Sequence, residues 1–298
     1  MNLIKILAVF FLPSLLVAQM YDYDIKPSYL KTSKFMNINI LDSKELKFSN
    51  SSVSELSALA YENDTLYIVG DKGFLYNFKI KIKNQKIKKL SLKKVIKFKN
   101  KNLKRLKKEK RDSEGIALYK SNLLISFEKD PRVDLFSKNG QKIKNQKIPK
   151  QLRDIKNYKS KNKALEAVAY SKTYGVITAP ELPLKNKNKK YHTLYAKKKK
   201  WKILACGSLT SLEFMNKNEL MILQREFNYL TRKRVITISK LNLKTNKYKV
   251  LAKLDSSKGW NIDNFEGVTK VGKKTYLMIS DSNNSFLQKT LLVLFEVI

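Results

Sequence analysis

The stretch Arg111–Glu128, RDSEGIALYKSNLLISFE, decides the fold class of this 298-residue chain. Two apolar runs flank a short polar turn, and this pattern predicts a β-hairpin. Glu114 stands at the start of the first predicted strand and Glu128 follows the second. Because paired antiparallel strands run in opposite directions, these two ends meet and the hairpin brings both carboxylates to one edge.

This hairpin recurs along the chain. In each copy an apolar strand has a polar residue at its second position, and a second apolar strand ends at another polar residue. The first strands are Leu56–Tyr61, Ser113–Leu118, Leu165–Tyr170, Leu209–Phe214 and Phe265–Lys270. The first polar positions are Ser57, Glu114, Glu166, Thr210 and Glu266, and the second are Asp71, Glu128, Glu181, Glu226 and Asp281. The two positions are 14, 14, 15, 16 and 15 residues apart, which indicates copies of one unit.

The repeat length and the small residues predict the architecture. A unit of about fifty residues with several strands is typical of a β-propeller blade. A small residue follows four of the first polar positions, as expected of strands crowded around an axis: Ala58, Gly115, Ala167 and Gly267. We therefore predict an all-β propeller of five or six four-stranded antiparallel blades around a central channel. Pairing of Phe35–Leu41 with Leu291–Val297 would complete a sixth blade. A β-sandwich or solenoid is the alternative, but neither explains the period.

The N-terminus predicts export. Residues 1–19, MNLIKILAVFFLPSLLVAQ, combine an early lysine, an apolar run and a small residue, as bacterial signal peptides do. The run is short for a membrane span, although an uncleaved anchor is the alternative. No later stretch is apolar enough to cross a membrane. We expect one domain over residues 20–298, monomeric and located in the periplasm or secreted.

The formal net charge is +37, from 62 Lys and Arg against 25 Asp and Glu. Such an excess attracts anionic partners, but the Lys-rich composition that AT-rich genomes impose on exposed positions explains it as well. The segments Lys99–Arg111 and Lys185–Lys200 lack an apolar stripe and are predicted to be solvated loops. Export, and the lack of an organised pattern of lysines and aromatic residues, argue against nucleic acid as a partner.

The chain has one histidine, His192, and one cysteine, Cys206. A disulfide within the chain is therefore excluded, and zinc sites that need several His and Cys ligands are disfavoured. A Ser-His-Asp or Cys-His nucleophile would have to use His192, which lies in a Lys-rich segment. Any hydrolytic chemistry must then use carboxylates, basic residues or a hard metal ion.

Propeller geometry brings the repeated polar positions together, because equivalent positions of successive blades converge on one mouth of the channel. The predicted carboxylate rim consists of Asp71, Glu114, Glu128, Glu166, Glu181, Glu226, Glu266 and Asp281. Clustered carboxylates repel one another unless cations neutralise them, and oxygen ligands favour Ca²⁺ or Mg²⁺. Arg111, Arg132 and Arg225 could neutralise the rim instead, or clamp a phosphate. The structural alternative is that the polar residues cap strands or bond to the next blade.

Four segments, in order, resemble the phytase-like family, an exported bacterial domain described as "esterase-like activity of phytase". They are SELSALAYENDTLYIVGDKG (Ser54–Gly73), RDSEGIAL (Arg111–Leu118), ELMILQREFN (Glu219–Asn228) and NFEGVTKVGKKTYLMISDSNNS (Asn264–Ser285). The resemblance covers Ser54–Ile298 and implies a propeller fold, export and hydrolysis of phosphate or carboxyl esters. It implies these site positions: Asp71, Glu114, Glu128, Arg225, Glu226, Glu266, Asp281 and Asn283. Ser57, Thr210, Ala58 and Ala167 depart from the family pattern, which leaves the number of metal ligands open.

Two functional hypotheses follow. In the first, Ca²⁺ on the rim polarises a small-molecule phosphate or carboxyl ester and activates a water. Its predicted catalytic residues are Glu114, Glu266 and Arg225, and its predicted substrate-binding residues are Arg111, Arg132 and Asn283. In the second, the propeller is a non-catalytic binding or scaffold module that docks on anionic envelope components. The enzyme needs three or four acids within coordination distance of one point, whereas the scaffold does not.

Overall fold

The computed structural model describes residues 18–49, 53–282 and 288–298. Residues 1–17 of the predicted signal peptide, and Asn283, lie outside the described residues. The described chain is all-β, and its five antiparallel sheets form the ring of a five-bladed β-propeller. No helix in these residues is long and apolar enough to cross a membrane.

The strands follow one another blade by blade. Three strands precede the first blade: β1 (Gln19–Asp22), β2 (Lys34–Phe35) and β3 (Ile38–Lys47). Blade 1 contains β4 (Leu56–Glu62), β5 (Thr65–Gly70), β6 (Phe74–Lys83) and β7 (Lys86–Lys97). Blade 2 contains β8 (Ser113–Tyr119), β9 (Asn122–Phe127), β10 (Arg132–Ser137) and β11 (Lys142–Asn145). Blade 3 contains β12 (Leu165–Ser171), β13 (Gly175–Pro180), β14 (Tyr191–Tyr195) and β15 (Lys200–Leu204).

The last two blades complete the ring. Blade 4 contains β16 (Ser208–Phe214), β17 (Glu219–Phe227), β18 (Arg234–Asn242) and β19 (Tyr248–Asp255). Blade 5 contains β20 (Asn264–Lys270), β21 (Thr275–Asp281), β22 (Thr290–Val297) and the N-terminal strand β3. Short 3₁₀ turns lie in the connections, at Lys108–Lys110, Lys150–Leu152, Ile155–Asn157 and Ser256–Lys258.

The N-terminal strand closes blade 5, so the prediction that it could complete a sixth blade was wrong. Strand β3 pairs antiparallel with β22, with Ile38 opposite Val297 and Ile40 opposite Phe295. The predicted pairing of the two terminal strands therefore forms, but it supplies the fourth strand of an existing blade. Strands β1 and β2 then pair with β3. This closure joins the two ends of the chain and leaves the ring without an open blade.

The innermost strand of each blade lines the channel: β4, β8, β12, β16 and β20 contact one another around the ring. Their close approach explains the small residues. A Cβ on Gly115 would lie 2.4 Å from Ser126 Oγ and 2.6 Å from the carbonyl oxygen of Glu166. Blade 4 has Ser211 at the equivalent position, and its hydroxyl accepts a hydrogen bond from the Val268 N–H at 3.1 Å. Larger side chains would push the blades apart.

Each innermost strand carries a β-bulge at its first polar position. The register shifts at Ser57, Glu114, Glu166, Thr210 and Glu266. A bulge leaves one residue unpaired and re-aims its side chain. Five equivalent bulges therefore act at the same height of the channel, and this places the first polar positions of all blades at one end.

Two Lys-rich segments were predicted to be loops. The first, Lys99–Arg111, is a loop with one 3₁₀ turn. The second was predicted wrongly over part of its length, because Tyr191–Tyr195 forms β14. His192 in this strand is 1% exposed, and its Nε2 lies 2.7 Å from the carbonyl oxygen of Gly207. Alternating burial along β14 fixes this histidine inside blade 3, where it has a structural contact.

Candidate functional site

A cavity of about 240 Å³ lies at the end of the channel that carries the bulges. We call it the acidic mouth. Its lining residues are Asp71, Asp112, Glu114, Glu128, Lys129, Asn162, Glu166, Glu181, Arg225 and Glu266. Seven of the ten are acids, which is an unusual excess in a chain of net charge +37.

The acids are close enough to share a ligand. Three sets of three carboxylates each have oxygens within 4.8 Å of one another: Asp112, Glu114 and Glu128; Glu114, Glu166 and Glu266; and Glu128, Glu166 and Glu181. Glu114, Glu128 and Glu166 each belong to two sets, so the sets form one continuous group. This meets the requirement that three or four acids converge on one point.

Burial shapes the acidity of these groups. Six of the seven acids are buried, and the half-buried Asp71 accepts a hydrogen bond from the Ser57 hydroxyl. Burial, with repulsion from the neighbouring carboxylates, raises the pKa of Glu114 and Glu166 well above the ordinary value. Burial likewise raises the pKa of Glu128 to about 8. The group therefore holds protons near neutral pH, or it must be neutralised by a cation.

Arg225 is the cation at the centre of this group. Its Nη1 lies 2.7 Å from Glu266 Oε1, and its Nη2 lies 3.6 Å from Glu181 Oε1. Burial disfavours the charged guanidinium, but the carboxylates of Glu266 and Glu181 outweigh burial and raise the pKa of Arg225. Two lysines pair at the edge: Lys163 with Glu181 at 3.0 Å and Lys129 with Asp112 at 2.9 Å. Three cations thus face seven acids.

Glu266 is held in a fixed orientation. Asn264 Nδ2 donates to its Oε1 at 2.6 Å, and Arg225 donates to both Glu266 Oε1 and Asn264 Oδ1. Both contacts use Oε1, and no hydrogen bond from another described residue reaches Oε2. Burial raises the pKa of Glu266 to about 7, although Arg225 opposes this shift. One oxygen is therefore anchored and the other can serve a ligand.

Some of the acids also have the alternative, structural role of bonding to the backbone of the next blade. Glu128 Oε1 accepts the backbone N–H of Ala164 at 3.0 Å, at the entry to the next blade. Asp281 Oδ1 accepts the N–H of Leu56 at 3.2 Å, again across a blade boundary. Asp281 is buried and does not line the acidic mouth. Glu128 therefore has a bridging contact and still belongs to two sets of converging carboxylates.

Glu226 was aligned wrongly with the second polar positions. Leu209 pairs with Gln224, just as Ser113 pairs with Phe127 in blade 2, so the residue equivalent to Glu128 is Arg225. Because side chains alternate along a strand, a slip of one residue sends the side chain to the other face. Glu226 is exposed and lies outside the acidic mouth. Blade 4 thus contributes an arginine where the other blades contribute acids.

The other predicted substrate-binding residues lie apart from the acids. Arg132 lines a separate cavity of about 270 Å³, where its Nε donates to Asp134 at 2.8 Å and its guanidinium stacks on Phe127 at 3.8 Å. Arg111 Nε donates to the carbonyl oxygen of Leu106 at 2.6 Å, and Arg111 does not line the mouth. The structure brings together Asp71, Glu114, Glu128, Glu166, Glu181, Glu266 and Arg225.

Sequence reasoning missed three lining residues: Asp112, Lys129 and Asn162. Asp112 and Lys129 stand next to the two ends of the hairpin that decided the fold. These ends meet, because the Glu128 N–H donates to the carbonyl oxygen of Asp112 at 2.9 Å. A residue flanking a converging strand end was therefore an available signal. Asn162 lies in the long connection between β11 and β12, which carries no repeat pattern.

Comparison with known proteins identifies a family over most of the chain. A family model described as "Phytase-like: Esterase-like activity of phytase" matches residues 51–284. A search among curated proteins finds no match.

Solved structures share a distant likeness. Glutaminyl cyclase from Myxococcus xanthus has a TM-score of 0.49 at 10% identity, over 88% of this chain and 97% of that chain. A chain of a nidogen/laminin complex has a TM-score of 0.42 at 11% identity, over 89% and 84% of the two chains. A chain of a mitotic checkpoint complex has a TM-score of 0.40 at 10% identity, over 86% and 68%. Likeness of this degree carries no argument about function.

Proposed function

This chain belongs to the phytase-like family, described as esterase-like activity of phytase, and we propose that it hydrolyses phosphate or carboxyl esters at its acidic mouth with a bound divalent cation. One observation supports this most directly: three overlapping sets of carboxylates converge within 4.8 Å. A fold that needed only small inner residues would have no reason to concentrate acids there.

The donor set fits a hard cation. Every carboxylate in the three sets offers oxygen, and the part of the chain that the structure describes brings no histidine or cysteine into the mouth. Oxygen donors suit Ca²⁺, Mg²⁺ and Mn²⁺ alike, so calcium stays one candidate among three. Glu114, Glu128 and Glu166 would hold the cation, because each belongs to two of the sets. When bound, such a cation polarises an ester oxygen and lowers the pKa of a coordinated water.

Arg225 and Glu266 supply the chemistry of the chain itself. The guanidinium of Arg225 would pair with negative charge on the ester group, since it already stands between two acids and the cavity. A carboxyl group with a pKa near the working pH can take and return a proton. Burial raises the pKa of Glu266 to about 7, and its Oε2 is the oxygen without a partner among the described residues. We assign it the proton transfer.

Hydrolysis assays test this proposal. The purified protein is assayed with p-nitrophenyl phosphate and p-nitrophenyl acetate, in EDTA and with added Ca²⁺, Mg²⁺ or Mn²⁺. We expect cleavage of at least one ester only with a cation, and a loss of about 100-fold or more in Glu114→Gln. Glu109→Gln removes the same charge from an exposed side chain that lines neither the mouth nor another cavity, and it should retain the rate within about twofold. If neither ester is cleaved, with or without a cation, the proposal is overturned.

A binding module is the second candidate. The connections 99–112 and 146–164 lead into inner strands at the acidic end and carry many exposed lysines, which places positive charge on the approach to the acids. Such positive charge favours anionic envelope components. Co-sedimentation with anionic and neutral lipid vesicles at low and high salt tests this. Binding that is confined to anionic vesicles and is lost with salt supports it, and equal binding to both contradicts it.

Export and a monomeric state are also part of the proposal. The support for export is the composition of residues 1–19, with an apolar run after an early lysine. Expression of the full chain in a bacterium, followed by cell fractionation and N-terminal sequencing, should yield a periplasmic or secreted protein that begins near Gln19 or Met20. A cytoplasmic protein that retains Met1 would contradict export. Light scattering would test the monomer.

A further inference from the structure

A second cavity, of about 350 Å³, lies beside the acidic mouth. It shares Arg225 with the mouth, and Phe227, Tyr229, Arg234 and Ile236 supply its distinctive lining. We call it the aromatic pocket. Pockets that bind small ligands typically measure about 300–1,000 Å³, so this volume suits a group of one or two rings. Lys163 and Asn264 also line it and contact acids of the mouth, whereas the four residues of the distinctive lining take no part in the chemistry proposed above.

An aromatic wall forms one side. The rings of Phe227 and Tyr229 meet edge to face, with centroids 4.8 Å apart and an angle of 76°. Tyr229 stands on the connection between β17 and β18 and is 78% exposed. A large aromatic ring held in solvent beside a cavity offers a stacking surface that the fold itself does not use. Ile236, which is fully buried, forms an apolar floor.

Arg234 adds a cationic plane with unused donors. Its guanidinium carbon lies 5.1 Å from the centroid of Phe227, and its Nε lies 3.6 Å from the Asp263 carboxylate. Its terminal nitrogens donate to no other residue in the described ranges 18–49, 53–282 and 288–298. A guanidinium stacks on aromatic faces while its donors remain available to a ligand. Phe227, Tyr229 and Arg234 therefore present π faces and a planar cation to one space.

The pocket and the mouth are joined through charged side chains. Arg225 lines both cavities and contacts Glu266 in the mouth. Lys163 lines the pocket, and its Nζ lies 3.0 Å from Glu181 in the mouth. A molecule that occupied both cavities would place an anionic ester group against Arg225 and the rest of its body against the aromatic wall.

We infer that the aromatic pocket binds the alcohol portion of the substrate, and that this portion carries a planar aromatic ring. The inference rests on the proposed function, since it assumes that an ester is cleaved at the mouth. An aromatic ring gains stacking contacts with Tyr229 and Arg234 that an aliphatic ring of the same size does not. The structure thus assigns an aryl-bearing ester as the substrate class.

Binding of three phosphonates, which cannot be hydrolysed, tests the inference without turnover. Benzylphosphonate, cyclohexylmethylphosphonate and methylphosphonate share their charged group and differ in the body. Calorimetric titration into the full chain, with Ca²⁺ present, should show benzylphosphonate binding about three- to tenfold tighter than cyclohexylmethylphosphonate. Tyr229→Leu should reduce this preference to within about twofold. Leu230→Ala is the matched control, because Leu230 is 95% exposed beside Tyr229 and does not line the pocket.

The outcomes separate the two proposals. Equal binding of the benzyl and cyclohexylmethyl compounds, or no binding of any phosphonate, overturns the aromatic pocket. A ring preference that survives in Tyr229→Leu overturns it too. If the ring preference is seen and lost as expected but no ester is cleaved, the aromatic pocket stands and the hydrolase proposal falls. If esters are cleaved without a ring preference, the hydrolase stands and this inference falls.

Discussion

The two ends of the channel are built by the same five strands, yet they differ in charge. At the mouth, the first polar positions include three glutamates: Glu114, Glu166 and Glu266. Three residues further along each strand, near the other end, stand Ala60, Ala117, Ala169, Glu213 and Thr269. Crowding of the inner strands accounts for small residues at both ends. Crowding does not account for the gathering of acids at one end. This uneven distribution therefore calls for a functional explanation.

The lone acid at the far end shows what an ordinary carboxylate in this channel looks like. Burial raises the pKa of Glu213 to about 8, while the N–H of Lys270, at 3.3 Å, and the charge of Lys270 lower it. Glu213 belongs to none of the converging sets found among the described residues. One lysine serves one acid there, whereas three cations serve seven acids at the mouth. The difference is an excess of negative charge that a bound cation would neutralise.

Removal of Arg225 should have the largest effect, because it breaks the partial compensation at the mouth. Arg225→Met leaves Glu266 without its cation in a buried site and leaves Glu181 paired with Lys163 alone, which typically costs about 3–5 kcal/mol. Urea unfolding at pH 8 in EDTA measures the loss. Arg232→Met, in an exposed loop, should change the free energy of unfolding by less than about 0.5 kcal/mol. Equal effects of the two substitutions would contradict the assigned role of Arg225.

The pH dependence of stability should also reveal the mouth. Burial raises the pKa of Glu128 to about 8, and burial raises those of Asp71 and Glu266 to about 7. Because the folded state holds these protons more tightly, their contribution is complete below about pH 4 and is lost as pH rises to about 8. We expect the metal-free protein to lose at least about 3 kcal/mol between pH 5 and pH 8, since the raised pKa of Glu128 alone spans this range and each pKa unit is worth about 1.4 kcal/mol. If the urea midpoint stays constant from pH 5 to pH 8, the raised pKa values assigned to these three acids are contradicted.

Substitutions that crowd the inner strands should reduce the free energy of unfolding by less than the loss of Arg225 does. Their effect should not depend on the charge of the mouth. Gly115→Ala forces a Cβ to 2.4 Å from Ser126 Oγ, so we expect a loss of about 1–3 kcal/mol. Gly267→Ala should behave alike, because its Cβ would lie 2.9 Å from the Cα of Ala58. Chemical unfolding at pH 5 and pH 8 should give the same loss at both values. A loss confined to pH 8 would show that charge, and not crowding, keeps these residues small.

Neutralising the far end should have the smallest effect. Glu213→Gln retains an acceptor for the Lys270 N–H, so the free energy of unfolding should change by less than about 1 kcal/mol. Melting temperatures with and without cation should differ by the same amount as in the wild type, within about 1 °C. If Glu213→Gln abolished the response to the cation, the metal site would lie at the far end of the channel and not at the acidic mouth.

Much of this architecture could be predicted from the sequence, because the repeat carries it. Glu114 and Glu128 were placed at one edge by strand direction alone, and the small residue Gly115 indicated the inner strand. The number of blades could not be predicted, since one N-terminal strand can close an existing blade or begin a new one. Glu226 was chosen over Arg225 because a spacing of 16 residues hides the register that a bulge sets.

Other site residues were beyond a pattern in the sequence. Asp112 and Lys129 lie outside the repeated positions, and the converging strand ends bring them to the mouth. Arg132 was expected near a phosphate, but it pairs with Asp134, two residues away on the same strand, which the sequence does not reveal. The aromatic pocket depends on Tyr229 and Arg234 facing one cavity across a strand connection. The identity of the cation and export remain predictions.

The most direct test of a cation site at the mouth is a thermal melt at pH 8, in EDTA and with Ca²⁺, Mg²⁺ or Mn²⁺. A cation at about 100 times its Kd adds about 2.7 kcal/mol, and the wild type should melt about 5–10 °C higher. Glu226→Gln should retain this rise, and Glu114→Gln should lose at least about half of it. If no cation raises the melting temperature of the wild type, or if Glu114→Gln and Glu226→Gln respond alike, the acidic mouth is not a metal site.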